Sequence, residues 1–405
     1  MTLTVLTDDQ IRSLLESLTV DELEGFRQAL ASALYEYSTG ATVHQPERIS
    51  VHSTATGATT LFMPSSNSAG NGIKGMYLLF PSRSLLVCSP SSHLITLSSA
   101  SNQSPSTTAE GTKPVIRPTG AVTLFDAQGA PLGLLHASTL TAFRTALSSL
   151  CLVRQRAGPL ETLAVFGCGE QAYWHVRLTL LARGTAVRKV VFINRRVSEA
   201  SKEVLRLFES EIGEAVKERE GWKGCAFEVL TRDEEGYERR VEEVLREADV
   251  VFCCTPSTEP LFDGRVWASE EGRRKGRLVV AIGSYTPDMR EVPGELIREA
   301  LGRGEKEAGV VVVDTIEGVL KEAGELIEAG VSPAQLVELG ELLTPEGTTP
   351  WRDGKGSGKA HLTSWLQTGN VIYKCVGFGI MDLSVGIYLV EYAKGNGVGT
   401  HVQGF

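Results

Sequence analysis

A glycine-rich turn follows a short apolar run near the middle of the chain. Gly167, Gly169 and Ala172 have the G-x-G-x-x-A spacing of a dinucleotide-binding turn. The first glycine permits a tight turn, the second lets the backbone approach a pyrophosphate, and the small third residue lets helix and strand pack closely. Free N–H groups at the start of the following helix attract phosphate. The spacing therefore predicts a nicotinamide dinucleotide, with a flavin, S-adenosylmethionine or a ligand-free turn as the alternatives.

The next apolar run indicates which dinucleotide is preferred. It ends at Asn194 and is followed by Arg195 and Arg196. An NAD-preferring site usually has an acid here, which binds the ribose 2′-hydroxyl. A guanidinium group instead binds a 2′-phosphate through paired N–H donors. We therefore expect NADP(H) to be preferred, with NAD(H) as the alternative, unless both arginines are ordinary surface charges.

Five short apolar runs alternate with helix-like segments from about residue 160 onward. This alternation predicts a parallel sheet covered by helices. The third run continues into Thr255 and Ser257, small polar residues that would face a cofactor at the carboxyl edge of the sheet. Residues 209–247, rich in Glu, Lys and Arg, are interpreted as a solvated helix face with a loop insertion. The five runs are TLAVF, KVVFIN, ADVVFCC, RLVVAIG and GVVVVD.

The segments outside this alternation have other patterns. Residues 7–36 are predicted to be helical, with Thr7 opening a capping box. Residues 47–145 contain short β-prone runs, and the Ser/Thr-rich residues 90–114 predict a flexible surface insertion. The apolar residues 370–393 are expected to pack as a helix. The β-prone runs are Ile49–Val51, Thr59–Met63, Met76–Phe80, Leu85–Cys88 and Val122–Phe125.

Three cationic residues precede the predicted parallel sheet in apolar or β-prone surroundings: Arg48, Lys74 and Arg144. Each one alone is explained by a long side chain that reaches solvent along its apolar stem. Together, two guanidinium groups and an amine would bind a carboxylate and supply a proton.

Composition restricts the class of protein. The chain has 405 residues, 42% apolar and 22% charged, which predicts a folded protein of two or three domains. A net charge of −9 without a basic block disfavours nucleic acid and membranes as partners. The N-terminus lacks a signal-peptide pattern and no run of about 18 apolar residues occurs, so we expect a cytoplasmic location. Seven scattered cysteines without a C-x-x-C pattern predict neither a disulfide framework nor a metal site.

Ten segments between about residues 44 and 390 make the sequence similar to the ornithine cyclodeaminase/mu-crystallin family, and the long hydrophilic insertions resemble those of fungal members. The resemblance implies an α/β fold, with a Rossmann dinucleotide-binding domain inserted in an α+β domain that binds substrate and forms a homodimer. Residues 1–145 would begin the substrate domain, residues 146–345 would form the Rossmann domain, and residues 346–405 would complete the first. The segments are HQPER, IKG, LTAFRTALSS, VFGCGEQA, FINRR, ADVVFCCTPSTEP, AIGSYTPDMREV, VVVDTIEGVLKEAGEL, ELGEL and VIYKCVGFGIMDL.

The resemblance also implies roles for individual positions. Arg48, Lys74 and Arg144 fall where the family binds the substrate carboxylate and places its acid–base lysine. Thr119 and Tyr285 are further candidates on the substrate side. The implied cofactor side comprises Gly167, Gly169, Glu170, Gln171, Asn194, Arg195, Arg196, Thr255, Ser257, Gly283 and Ser284.

One departure from the family pattern bears on the reaction. Cyclodeaminases carry an Asp directly after the glycine of the turn that follows the fourth strand, whereas Gly283 is followed here by Ser284 and Tyr285. The sequence thus resembles the ketimine-reductase branch, which implies reduction of a cyclic imino acid, such as pyrroline- or piperideine-2-carboxylate, by NAD(P)H. The alternatives are reductive coupling of an amino acid with a keto acid or reversible amino-acid dehydrogenation, cyclodeamination with bound NAD, and a non-catalytic crystallin-like binding protein.

Overall fold

The computed structural model describes residues 2–41, 45–52, 59–81, 116–267, 269–284, 286–302, 310–343 and 360–405. The predicted insertion at residues 90–114 and the predicted strand Leu85–Cys88 lie outside these ranges, as does Tyr285. No helix in the described part of the chain is long and apolar enough to cross a membrane.

The elements of the described ranges form two sheets and the helices that cover them. The strands are β1 (Thr2–Leu6), β2 (Ile49–His52), β3 (Thr59–Ser66), β4 (Gly72–Pro81), β5 (Ile116–Phe125), β6 (Pro131–His136), β7 (Thr162–Phe166), β8 (Lys189–Asn194), β9 (Ala226–Thr231), β10 (Val250–Cys253), β11 (Leu278–Ala281), β12 (Val311–Val313), β13 (Leu336–Glu338), β14 (Val371–Lys374) and β15 (Thr400–Gln403). The helices are α1 (Asp8–Glu16), α2 (Val20–Glu36), α3 (Ala137–Val153), α4 (Glu170–Arg183), α5 (Glu199–Arg206), α6 (Glu214–Glu220), α7 (Tyr237–Glu247), α8 (Glu270–Arg274), α9 (Gly294–Ala300), α10 (Ile316–Glu322), α11 (Gly324–Glu328), α12 (Ala360–Thr368) and α13 (Gly379–Gly395).

Eight parallel strands form the sheet that carries the glycine-rich turn. Their order is β13-β12-β14-β11-β10-β7-β8-β9. All residues of β10 and β11 are buried, which explains why these strands are continuous apolar runs without alternation. Because all eight strands run the same way, the loops that follow them meet at one edge, where α/β proteins bind their ligands.

The second sheet has the strand order β15-β1-β6-β5-β4-β3-β2 and is antiparallel except where β1 pairs with β6. Helices α2, α3 and α13 pack together beside it, with the Phe26 ring edge-on to Phe143 at a centroid distance of 5.5 Å. Phe143 also contacts Trp174 of α4 at 5.3 Å, so one apolar core continues from these helices into the parallel sheet. The predicted fold class, a Rossmann domain within an α+β domain, is confirmed.

The structure corrects two predicted elements. Residues 7–36 form two helices, because a second capping box at Thr19, three residues after the end of α1, starts α2. The predicted capping box at Thr7 is confirmed. The apolar residues 370–393 are only partly helical, since Val371–Lys374 is a strand of the parallel sheet and α13 starts at Gly379. The chain therefore still contributes to the parallel sheet beyond residue 346 before it returns to the first domain.

Candidate active site

The glycine-rich turn connects β7 to α4. Gly167 has a φ of 109°, and a Cβ atom there would lie 3.1 Å from the carbonyl oxygen of Cys254, so the tight turn requires glycine. Gly169 caps α4 with extended backbone, and a Cβ atom there would meet nothing within 4 Å. The fourteen-residue helix starts at Glu170 without a side-chain cap, which leaves its first N–H groups without a side-chain acceptor. This geometry fits a pyrophosphate.

Two buried polar atoms beside this turn have no hydrogen-bond partner among the described residues. They are Oε1 of Gln171, at the start of α4, and Oγ1 of Thr255, in the turn that follows β10. A Cβ atom on Gly167 would also lie 3.1 Å from Cγ2 of Thr255, so Thr255 borders the turn. Gln171 lies in the first turn of the helix that follows it. Buried polar groups without partners are rare and call for a ligand or water. The residues present therefore fit a dinucleotide.

The turn after β8 brings Asn194, Arg195 and Arg196 to the same edge, because β8 pairs directly with β7. The Asn194 side chain donates to the carbonyl oxygen of Arg196 at 3.0 Å and accepts from the backbone N–H of Arg195 at 3.0 Å. Both arginines are exposed, and neither forms an ion pair with a described residue. Their guanidinium groups are thus available to an anionic ligand.

The turns after β10 and β11 hold the other predicted cofactor residues. The carboxylate of Glu291 accepts hydrogen bonds from the backbone N–H groups of Thr255 at 3.3 Å and Gly283 at 2.6 Å. Ser284 is buried, and its hydroxyl lies 2.7 Å from Nζ of Lys374. Ser257 accepts from and donates to the backbone of Glu259 in its own loop.

Arg48 and Arg144 both lie beside one turn, residues 376–377, which follows β14. Nη1 of Arg48 donates to the carbonyl oxygens of Val376 and Gly377 at 3.4 and 3.5 Å. A Cβ atom on Gly377 would lie 2.8 Å from Nη1 of Arg144. Burial lowers the pKa of Arg48 to about 10, and the positive charge of Arg144 acts in the same direction. The structure therefore brings together two of the three cations that the sequence singled out.

Each of these arginines has a carboxylate partner. Arg48 binds Glu322 of α10, with 2.6 Å between Nε and Oε1, and Arg144 binds Asp382 of α13, with 3.2 Å between Nε and Oδ1. Asp382 is fully buried, so this second pair holds the Arg144 guanidinium group in place. The Arg48–Glu322 pair is the more accessible one, since its side chains are 16% and 20% exposed.

A buried carboxylate holds the backbone of the turn at residues 376–377, beside the two arginines. Asp314, at the end of β12, accepts from the backbone N–H groups of Val376 at 3.2 Å and Gly377 at 2.6 Å. Burial raises the pKa of Asp314, while the N–H donors oppose that shift. Asp314 thereby fixes the carbonyl oxygens that bind Arg48.

The remaining predicted substrate residues are only partly described. The backbone of Lys74 lies in β4, paired with Pro64 and Thr123, and the backbone of Thr119 lies in β5. Their side chains lie outside the description. Together with Tyr285, these two residues stay predictions.

Sequence reasoning missed the acids and the lysine that organise these turns: the buried Glu291, Asp314, Lys374 and Asp382, and the partly exposed Glu322. A signal was present for some of them. Lys374 and Asp382 are single charges in apolar runs, the same pattern that singled out Arg144. Asp314 directly ends the apolar run of β12.

Comparisons with known proteins agree with this geometry. The chain is 29% identical over 291 residues to the Δ1-pyrroline-2-carboxylate reductase of Bacillus cereus, covering 70% of this chain and 74% of the relative. It is 27% identical to the ketimine reductase mu-crystallin of Mus musculus, covering 65% and 66%. The fold matches that of the Thermococcus litoralis Δ1-pyrroline-2-carboxylate reductase, solved with NADH and L-proline, at a TM-score of 0.65 and 18% identity over 98% of this chain and 100% of that one. No family model matches the chain.

The fold and the glycine-rich turn define a protein with a Rossmann-type parallel sheet and a second, α+β domain. The sequence relatives indicate a more specific group within this class. They confirm the predicted resemblance to the ornithine cyclodeaminase/mu-crystallin family and its ketimine-reductase branch.

Proposed function

We propose that this chain is an NAD(P)H-dependent reductase that converts cyclic imino acids into cyclic amino acids. The observation that carries the proposal is the position of Arg48 and Arg144 beside the turn at residues 376–377. That turn lies next to the turn at Gly283, because β14 and β11 are neighbours in the sheet. A carboxylate held by the two arginines would therefore lie close to Gly283, where we expect the nicotinamide end of the cofactor from the family resemblance. The names of the relatives support the same substrate class.

The proposed reaction divides between the two halves of this site. Arg48 and Arg144 bind the substrate carboxylate through charge-assisted hydrogen bonds and thereby fix the position of the C=N carbon. A bound NAD(P)H supplies the hydride for that carbon. Lys74 holds a proton at the imine nitrogen, which makes the C=N carbon more electrophilic and leaves an amine as product.

Hydride transfer to the substrate carbon is the direct test of this function. The protein would be incubated with piperideine-2-carboxylate and NADPH in which both hydrogens at nicotinamide C4 are replaced by deuterium, and the product examined by mass spectrometry. We expect pipecolate with one deuterium at C2. Product without deuterium at that carbon, or no product from any cyclic imine, would contradict the proposal.

Glu322 is expected to compete with the substrate for Arg48. We predict that Glu322→Gln lowers the KM for the imino acid by about 3- to 10-fold, because a carboxylate no longer has to be displaced from the guanidinium group. The neighbouring ion pair between Lys321 and Glu47, at 2.6 Å, offers a control. Lys321→Met should leave the KM unchanged, since that pair is exposed. An unchanged or higher KM for Glu322→Gln would show that Glu322 does not compete.

We propose that NADP(H) is preferred over NAD(H), with Arg195 and Arg196 as the ligands of the 2′-phosphate. Replacing both with Gln removes charge-assisted hydrogen bonds, so we expect the KM for NADPH to rise about 10- to 100-fold while the KM for NADH changes little. Steady-state kinetics with both cofactors checks this. An equal effect on both cofactors would mean that the arginines do not contact the 2′-phosphate.

We propose that the protein is a homodimer that pairs through the exposed edge of its antiparallel sheet. Ile49 and Phe62 are adjacent cross-strand partners, 58% and 40% exposed, and Val51 beside them is 51% exposed. Exposed apolar patches of this kind mark interfaces. Sedimentation should give twice the chain mass of 43.7 kDa, and Phe62→Asp should shift the protein towards monomer. A wild-type monomer would contradict the assignment.

We also propose a cytoplasmic location, which is compatible with the six cysteines of the described residues that form no disulfide. Cyclodeamination is the less favoured reaction, because Ser284, which follows Gly283, directs its hydroxyl to Lys374 and offers no carboxylate. The intact phosphate turn and paired arginines likewise disfavour a purely structural, crystallin-like role.

A further inference from the structure

A buried cluster of charges lies beneath the turn that follows β11. Nζ of Lys374 lies 2.7 Å from Oε1 of Glu325, 3.2 Å from Oε2 of Glu291 and 2.7 Å from Oγ of Ser284. The three charged side chains are at most 2% exposed. Burying three charges costs desolvation energy, and apolar residues of similar volume would often be at least as stable. The cluster is therefore weakly explained by stability alone, and its contacts suggest a positioning role.

The hydrogen bonds of Glu291 show which two turns this cluster holds together. One oxygen of its carboxylate accepts from the backbone N–H of Gly283, and the other accepts from that of Thr255. A single side chain therefore ties together the turns after β11 and β10. The two turns touch closely, since a Cβ atom on Gly283 would lie 2.4 Å from the carbonyl oxygen of Thr255 and 2.7 Å from Oε1 of Glu291.

The partners of Glu291 fix its orientation. Lys374 ends β14, the strand next to β11, and donates to Glu291 and to the Ser284 hydroxyl. Ser284 in turn lies 3.4 Å from Oε2 of Glu325. Burial raises the pKa of Glu291 to about 7, with Lys374 opposing this shift and Glu325 adding to it. The ammonium group thus stabilises the carboxylate form that accepts both backbone N–H groups.

The hydroxyl of Thr255 is the part of this arrangement that is left without a partner among the described residues. It belongs to the turn that Glu291 holds, and it borders Gly167 of the phosphate turn. Glu291 thus holds the backbone of this turn, while the Thr255 hydroxyl remains available to a ligand.

We propose that Glu291, held in place by Lys374, Glu325 and Ser284, is a positioning residue that sets the spacing of the two turns around the nicotinamide half of the cofactor. This inference rests on the proposed dinucleotide function. It assigns the adenine half to a different part of the site, the glycine-rich turn and the arginines after β8. Changes at Glu291 should therefore affect one half of the cofactor only.

A ligand that lacks nicotinamide separates this role from general destabilisation. NADPH and 2′-phospho-ADP-ribose would be titrated against wild type and Glu291→Gln by calorimetry, at a temperature where both are folded. We expect the Kd for NADPH to rise about tenfold or more, because Gln presents an N–H group to Lys374 and loses the orientation that serves both turns. The Kd for 2′-phospho-ADP-ribose should stay within about twofold of wild type.

Glu220→Gln is the matched control. Glu220 is an equally buried carboxylate, bound by Arg177 at 2.7 and 2.8 Å, but it lies at the end of α6 and contacts neither turn. The Glu220→Gln substitution should lower the melting temperature and leave the Kd values for both ligands unchanged. Should Glu291→Gln fail to fold, Ser284→Ala and Glu325→Gln carry the same test, each with a smaller loss of NADPH affinity.

Two outcomes would overturn the inference. One is a Glu291→Gln variant that binds NADPH as tightly as wild type, and the other is an equal loss of both ligands. If wild type binds neither ligand, the dinucleotide function itself is wrong, and this result is distinguishable because it does not involve the variant. Failure of the wild type to reduce imines would leave the binding comparison intact.

Discussion

Replacing Lys74 with Met is expected to lower kcat for cyclic imine reduction at least about 100-fold, since general acid catalysis contributes about 100- to 10,000-fold. Methionine matches lysine in length and apolar stem but has no proton to place at the imine nitrogen. The backbone of residue 74 keeps its pairing with Pro64 and Thr123 in β4 whatever its side chain. The variant should therefore fold. Stopped-flow measurement of NADPH oxidation separates the chemical step from cofactor binding.

Binding measurements on the same variant make this result specific. The Kd for NADPH should be unchanged, because Lys74 is assigned to the substrate. Lys394→Met, which removes a partly exposed lysine paired with Glu391 on α13, should leave both kcat and Kd unchanged. A Lys74→Met variant with wild-type kcat would remove Lys74 from the mechanism and leave the proton source unassigned.

Replacing Gly169 with Val is the second change with a large expected effect. The added side chain meets no protein atom near its Cβ position, so the fold tolerates it. It enters the space where the second glycine of such a turn lets the backbone approach a pyrophosphate. We expect the Kd for NADPH to rise about 30- to 100-fold, the equivalent of about 2–3 kcal/mol of steric cost. Calorimetry or quenching of cofactor fluorescence checks this.

Gly213→Val provides the control for backbone effects. Gly213 also precedes a helix in extended conformation, and a Cβ atom there likewise meets nothing within 4 Å. Both substitutions add the same side chain at the same helix position, so they should change thermal stability similarly. Only Gly169→Val should weaken NADPH binding, and equal Kd values for the two variants would mean that the cofactor phosphates do not lie at this turn.

The strands of the parallel sheet were predictable where burial on both faces makes a strand a continuous apolar run. β7, β8, β10, β11 and β12 all meet this condition and all five are confirmed. β9 was missed inside the charged residues 209–247, because it lies at the edge of the sheet and four of its six residues are not buried. The apolar residues 370–393 predict a helix where the structure has β14, since an apolar run that continues into a helix has no periodic signal at the junction.

Local chemistry also explains which site residues could be predicted. The glycine-rich turn is encoded by residues next to each other, and so is the capping box at Thr7. The same capping signal at Thr19 and Glu22 was available and would have divided residues 7–36 correctly.

The partners of the predicted arginines could not be inferred in this way. Arg48 and Glu322 are 274 residues apart, and Arg144 and Asp382 are 238 apart. Only the folded chain brings them together. A single charged residue within an apolar run is explained either by a side chain that reaches solvent or by a buried partner, and it does not indicate where in the sequence such a partner lies.

The most direct test of the proposed function follows NADPH absorbance with pyrroline-2-carboxylate and piperideine-2-carboxylate, with NADH and with ornithine as comparisons. The proposed reductase should oxidise NADPH with at least one of the imines and should oxidise NADH more slowly. It should release no ammonia from ornithine. Ammonia release from ornithine without net cofactor oxidation would contradict the proposal and establish a cyclodeaminase instead.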